Sequence, residues 1–397
     1  MTKISPKVCD KPQCDKLSGG RVALTILKCV ALWPWRYEYK NENQKLLYSR
    51  VQLIHRWILH IPLSLTFCLL MWVEVFISTD LNEAANVVFM SLALAMYLMK
   101  FINIRVYSEK ATWFIYEMEH NRMFDLLNIE EVDMWLKYHK SFRMVSIIYI
   151  FGSAFSSFFA FVGALFEEDY HLGYPYYVPF EWRNPERYWY AYVFNWTGIL
   201  VSCFSNVSLD MLGCYMIFHV GLLYKLLGMR LSNLNSAKEN DAVREFTKLF
   251  LMHSCIKRMT KECETLISHY VLTQIIFSGL IVCFSGYRMQ KMNILAEFSQ
   301  FFSMLQFLSV MIMEMYLPCH YANQITTNSA ELLNNIYDCE WLQFSIVGRK
   351  FIRLYMEFFK EPEQLRAGKY FELGLPIFTK VMNTAYSYFS LLLNMDK

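Results

Sequence analysis

Residues 144–166 read MVSIIYIFGSAFSSFFAFVGALF, without one Asp, Glu, Lys or Arg. They follow Lys140 and Arg143 and precede Glu167, Glu168 and Asp169. A helix needs about 20 apolar residues to cross a bilayer's hydrocarbon. The stretch therefore reads as a membrane span with a basic entry and an acidic exit. Working outward, six similar runs lie near 57–77, 84–104, 191–213, 266–286, 294–317 and 374–394. Thirty of the 38 Lys and Arg fall in 1–50, 105–143, 225–261 and 349–369, whereas the alternate connections hold five. Basic connections stay in the cytoplasm. The expected fold is an all-α membrane protein with seven transmembrane helices, its N-terminus cytoplasmic and its C-terminus extracellular.

Of the 397 residues, 55% are hydrophobic and 18% charged. One seven-helix domain over 56–397 follows a polar cytosolic segment, 1–55. The net charge of +3 points to no nucleic acid, because the basic residues are spread over inner connections. The bilayer is the partner that composition demands. No early apolar core with a small-residue cleavage site precedes the first span, which is expected to serve as its own insertion signal. Within the first segment, 21–35 reads as a short amphipathic helix that Pro34 would end. It lies on the inner membrane surface through Trp33 and Trp35, or packs on the cytosolic side of the protein.

The spans are expected to continue as helices below the membrane, because apolar residues keep helical spacing through 105–143, 222–231, 243–264 and 330–360. The segment 330–362 is the expected core of a cytosolic anchor. The connection 167–190 differs. Pro175, Pro179 and Pro185 break helix, Tyr and Trp crowd it as at a headgroup layer, and five acids against two arginines leave it at −3. That charge would concentrate cations at the outer face. None of the eleven cysteines lies in an outer connection, so free thiols are expected.

No catalytic constellation is present. His-Glu-x-x-His, Gly-x-Ser-x-Gly and a Walker loop are all missing, and no His or Cys pair has metal-ligand spacing. No enzyme activity, metal or cofactor is expected. Glu74, Asp210 and Glu314 lie in or beside spans, where an acid costs at least ~2.5 kcal/mol. Their places near span ends read as interfacial, solvated acids. The sequons at Asn195 and Asn206 fall inside a span and are discounted.

The C-terminal stretch carries a pattern: Ala367-Gly-Lys-Tyr-Phe371, Leu375-Pro-Ile-Phe-Thr-Lys380, then Ala385-Tyr-Ser-Tyr-Phe-Ser-Leu-Leu-Leu393. This resembles the signature ending of insect odorant receptors, with Ala385 where serine is usual. Tyr337-Asp-Cys-Glu-Trp341 and Lys360-Glu-Pro362 are similar to the family's cytosolic segment, with Asn335 where many members have alanine. The second cytosolic loop is too short for the family's shared co-receptor, and the chain reads as a ligand-specific subunit. The resemblance implies an odorant-gated, non-selective cation channel in the plasma membrane of olfactory sensory neurons. It also implies a heterotetramer with the co-receptor, a small volatile ligand, and a pore lined by the last helix.

On that helix Asn383, Ser387, Leu391 and Asn394 are spaced 4, 4 and 3 and share one face. Spacing alone allows pore lining or helix-on-helix packing through small polar residues. The resemblance implies the pore, with Leu391 at the gate and Asn394 just outside it. The family's odorant site lies in the outer half, among the second, third, fourth and sixth spans. That region holds Val88, Ser91, Phe155, Phe158, Phe159, Tyr192, Asn195, Ile199, Phe301, Phe302 and Leu305, as ligand contacts or as ordinary packing. Two other readings remain. A gustatory-type channel subunit would conduct without a co-receptor. A seven-helix G-protein-coupled receptor would need the opposite charge bias.

Overall fold

The computed structural model describes residues 15–35, 42–78, 81–166, 170–234, 239–292, 298–339 and 341–395. The acidic run 167–169 lies outside the described residues. Helix α1 (Arg21–Cys29) precedes a long helix with one irregularity. There α2 (Glu42–His60) passes through a π-helical turn, Ile61–Thr66, into α3 (Phe67–Ile77). Pro62 sits in that turn. A proline ring cannot fit a regular ladder, and a wider turn absorbs it. Then come α4 (Leu81–Val106), α5 (Ser108–His120), α6 (Ile129–Leu165) and α7 (Pro185–Ser232). The chain ends with α8 (Glu239–Lys291), α9 (Phe298–Asp338), α10 (Ile346–Phe358), a hairpin of β1 (Arg366–Ala367) and β2 (Phe371–Glu372), and α11 (Leu375–Met395).

Among the described residues, six helical segments are long and apolar enough to cross a membrane: 42–77, 87–106, 129–165, 185–232, 243–290 and 300–338. They overlap six of the seven expected runs. The seventh run is α11, which is less apolar because Asn383, Thr384, Ser387 and Ser390 interrupt it. α7 has 48 residues, about 70 Å at ~1.5 Å per residue, against about 30 Å of hydrocarbon. The expected extension of spans beyond the membrane is therefore real.

The helix ends follow local chemistry. Pro185 opens α7 in its first turn, where its missing N–H costs nothing. Glu130 and Glu131 stand in the first turn of α6, where the helix dipole favours acids. Ser345 Oγ caps α10 by accepting from Gly348 N at 3.1 Å. α1 ends at Cys29, before Pro34, where Val30 bonds back to Ile26 and Ala31 takes φ 59°. It packs on α7 and α6, and Trp33 is 1% exposed. Of the two placements open in the sequence, the helix takes the one on the protein.

α7 is the axial pillar. Residues 207–224 are buried without a break, as a helix apolar on every side must be. One large core gathers α7 with α1, α5, α8, α9 and α10 at the basic end. There Arg230 clasps Glu131 at 3.0 and 2.9 Å and also donates to the carbonyls of Met123 and Asp125. A smaller, aromatic core joins α3, α4 and α9 to the Tyr-rich connection at the other end.

The sequence Ala367-Gly-Lys-Tyr-Phe371 makes the turn into α11. Gly368 and Lys369 have φ of 60° and 67°, and Tyr370 N closes the turn on Ala367 O at 3.2 Å. Two consecutive positive φ angles favour glycine. A Cβ at Gly368 would also strike the Leu272 side chain. Gly368 N donates to Ser268 O at 3.1 Å, which ties the turn to α8.

Candidate ligand cavity and candidate pore face

The outer connection folds into the bundle end rather than over it. Asn195, fully buried on α7, holds Tyr174 from both sides: its Oδ1 accepts from Tyr174 N at 3.3 Å and its Nδ2 donates to Tyr174 O at 2.7 Å. Tyr192 Oη donates to Phe161 O at 2.9 Å, Tyr188 Oη to His171 O at 2.7 Å, and Tyr176 Oη to Ala191 O at 3.1 Å. Burial pushes the Tyr176 phenol up to about 12, so it stays a donor. Gly173 lets the strap lie flat, since a Cβ there would meet the Phe161 ring at 2.7 Å.

Under the strap lie two chambers in line. The outer, of about 460 Å³, is bounded by 171–175, Arg288, Ser303 and Met304. The inner, of about 70 Å³, is enclosed by α4, α6, α7 and α9, with Met90, Leu94, Ser153, Ser157, Ile199, Ser202 and Val310 in its wall. Tyr174 and Phe307 line both, so they form the partition. Ser156 and Ser303 exchange hydrogen bonds with each other's carbonyls at 3.3 and 3.2 Å and bolt α6 to α9 beside it.

Behind Asn206 and Glu314 in the inner chamber's wall lies an ionic cluster. Lys100 on α4 sits 2.6 Å from Asp210 Oδ1 on α7, bonds Glu314 Oε1 on α9, and donates to Asn206 Oδ1 at 3.1 Å. Lys100, Asp210 and Glu314 are 2%, 5% and 1% exposed. This corrects the reading of Asp210 and Glu314 as solvated interfacial acids. The helices pass well beyond the hydrocarbon, and a buried ammonium compensates the two carboxyls. A helix defect helps. Pro318 has no N–H to give the carbonyl four residues back, which is that of Glu314. Gln274 Nε2 on α8 supplies that bond at 2.7 Å.

α11 has two unlike faces. Ala385 is buried. Val381 and Phe389 lie against Gly279 and Gly286 of α8, within 3.4 and 3.3 Å of where a Cβ on each glycine would stand. These three positions repeat every four residues. Asn383, Ser387, Leu391 and Asn394 are all exposed. Two residues is about 200° of helix turn, so Asn383 and Ser387 lie opposite Ala385.

Residues 80–386 match the family model described as 7tm Odorant receptor. The chain belongs to this odorant receptor family. Odorant receptor 94a of Drosophila melanogaster is 42% identical over 384 residues, spanning 96% of this chain and 98% of that protein. Odorant receptor 9a of the same fly is 19% identical over 98% and 99% of the two chains. The olfactory receptor OR5 of Machilis hrabei has the same fold, with a TM-score of 0.79 at 16% identity over 94% and 97% of the chains. Its complex with eugenol matches equally, with a TM-score of 0.79 at 15% identity over 95% and 97%. This odorant receptor is thus a multi-pass membrane protein of that fold.

Of the sequence-named ligand contacts, the odorant receptor's fold brings Ile199 to the inner chamber. Asn195 and Tyr192 are spent on anchoring the strap. Ser91 is fully buried, its Oγ donating to Val87 O at 2.9 Å. Val88 packs half-buried on the aromatic core. Phe155, Phe158 and Leu305 are exposed on the bundle's outside. Phe155, Phe159 and Phe302 form a ring cluster with centroids 4.5 and 5.5 Å apart, and Phe301 is half-buried. The chamber's own lining was missed. Its signal was present as Ser153, Ser156 and Ser157, three hydroxyls on one face of an uncharged run.

Proposed function

We propose that this odorant receptor is the ligand-specific subunit of an odorant-gated, non-selective cation channel, assembled with the family's co-receptor as a heterotetramer in the plasma membrane of olfactory sensory neurons. The observation that carries the reading is the exposed polar stripe of α11, on the side opposite its packed face. A single helix encloses no pore, so a conducting path needs the α11 of several subunits. A second exposed surface supports assembly. Tyr337, Ile346, Val347, Leu354 and Phe358 are each more than half exposed, on the last turn of α9 and on α10. Apolar groups placed there need a covering partner.

The ligand enters by the outer chamber and occupies the inner one, where a small volatile meets an apolar wall and a few polar groups. The complex of the Machilis hrabei receptor with eugenol supports a small organic ligand. About 70 Å³ is well below the ~300 Å³ at which ligand pockets begin, so binding must move the partition. A ligand opens a channel only through its better affinity for the open form. A chamber too small in the closed form supplies that difference. Leu391 is the hydrophobic gate, which closes by dewetting, with Asn383 and Ser387 lining the pore within it and Asn394 at its mouth.

The test is expression with and without the co-receptor, under a broad odorant panel. Odorant-evoked cation currents are expected only from the pair. Surface-delivered pairs that stay silent to every odorant overturn the reading.

A further inference from the structure

The ionic cluster behind the inner chamber's wall is short of hydrogen-bond donors. The Lys100 ammonium has three N–H groups; it bonds Asn206 and Glu314 and stands 2.6 Å from Asp210 Oδ1, an oxygen that receives no well-aligned hydrogen bond. Tyr149 Oη reaches Asp210 Oδ2 only at 3.5 Å. Among the described residues no N–H or hydroxyl donates to Glu314 Oε2, although this side chain is all but fully buried and lines the chamber. One ammonium thus serves two acids.

The serine wall makes the shortage worse. Ser153 Oγ donates to Tyr149 O at 2.8 Å, and Ser157 Oγ to Ser153 O at 3.3 Å. Ser156 Oγ donates to Ser303 O at 3.3 Å, and Ser202 Oγ to Ser64 Oγ at 3.4 Å. Each hydroxyl has one proton and two lone pairs. The protons are used and the lone pairs remain. Among the described residues only the Asn206 amide keeps N–H groups beside this array, and the four hydroxyls' lone pairs outnumber them.

We propose that this receptor selects small odorants bearing a hydrogen-bond donor, an alcohol or an amine. The donor bonds Glu314 Oε2, and the hydrocarbon lies against Met90, Leu94, Phe307 and Val310. This rests on the inner chamber being the odorant site. An alcohol completes the unsatisfied carboxylate. A protonated amine does so through a charge-assisted bond. An aldehyde of the same skeleton brings only lone pairs and leaves Glu314 unsatisfied, the costly outcome for a buried acceptor.

The experiment is dose–response recording from the receptor–co-receptor pair with matched triplets: hexanol, hexylamine and hexanal, then benzyl alcohol, benzylamine and benzaldehyde. Donor members are expected to be more potent than the aldehyde by on the order of tenfold or more, as for a hydrogen bond to a charged group. Glu314→Gln, whose amide both donates and accepts, is expected to bring that ratio towards one. Equal potency in the unmodified receptor, stronger responses to aldehydes, or an unchanged ratio in Glu314→Gln each overturn the proposal. Where Glu314→Gln does not reach the surface, the ratio in the unmodified receptor decides alone. Currents to acceptor-only odorants and to no donor also reject it while leaving the receptor reading standing. Silence of a surface-delivered pair to every odorant rejects that reading instead.

Discussion

α7 and α11 are both helices in a membrane protein, yet they carry opposite instructions. α7 buries every residue from 207 to 224, including Asp210. Gly213 and Gly228 let Tyr270 and Asn335 come so close that a Cβ would collide with each. α11 packs one row, Val381, Ala385 and Phe389, against the bundle and leaves the opposite row exposed. The first helix completes a subunit. The second, in the proposed assembly, is complete only beside other subunits. Substitutions should therefore act on folding in α7 and on conduction in α11.

The largest effect is expected at the ionic cluster where α4, α7 and α9 meet. Lys100→Met leaves Asp210 and Glu314 without their cation, a loss of about 3–5 kcal/mol for a broken buried pair. Surface delivery measured by an epitope tag should collapse. Normal delivery would show that the carboxyls do not need Lys100, and the contrast would weaken at its deepest point.

Next is the close approach on α7. Gly213→Val forces the Tyr270 side chain aside, an overpacking cost of about 1–3 kcal/mol. Thermal stability of the detergent-purified receptor should fall accordingly, while an unchanged melting temperature would mean that the helix has room to give.

How much of this was legible depends on the element. Uncharged runs and alternating basic connections announced the helices, because hydrocarbon tolerates little else. The α11 stripe was legible too, since its 4, 4, 3 spacing is local. The ionic cluster was not. Lys100, Asp210 and Glu314 come from three helices more than a hundred residues apart, and each alone resembles a residue at a span end. Pro318, four residues after Glu314, was a readable sign that the helix is interrupted there. The roles of two of the named outer-half residues were hidden for a related reason. Asn195 and Tyr192 read as pocket walls, but a proline-broken strap with many backbone groups to satisfy engages both.

Smaller still in stability is Ser387→Ala, on the exposed row. It should change stability by less than about 0.5 kcal/mol and yet alter single-channel conductance, because a polar lining group is lost. Unaltered conductance would remove Ser387 from the pore. Leu391→Ser sharpens the same side of the contrast: ligand-free current should rise in the heteromer, and unchanged basal current would reject the gate.

The most direct measurement is cysteine accessibility along α11. Asn383→Cys, Ser387→Cys, Leu391→Cys and Ala385→Cys are expressed one at a time with the co-receptor. A charged, membrane-impermeant thiol reagent is applied during odorant-evoked current. The account predicts block at 383, 387 and 391 and none at 385. Block at 385 with none at the other three would contradict it.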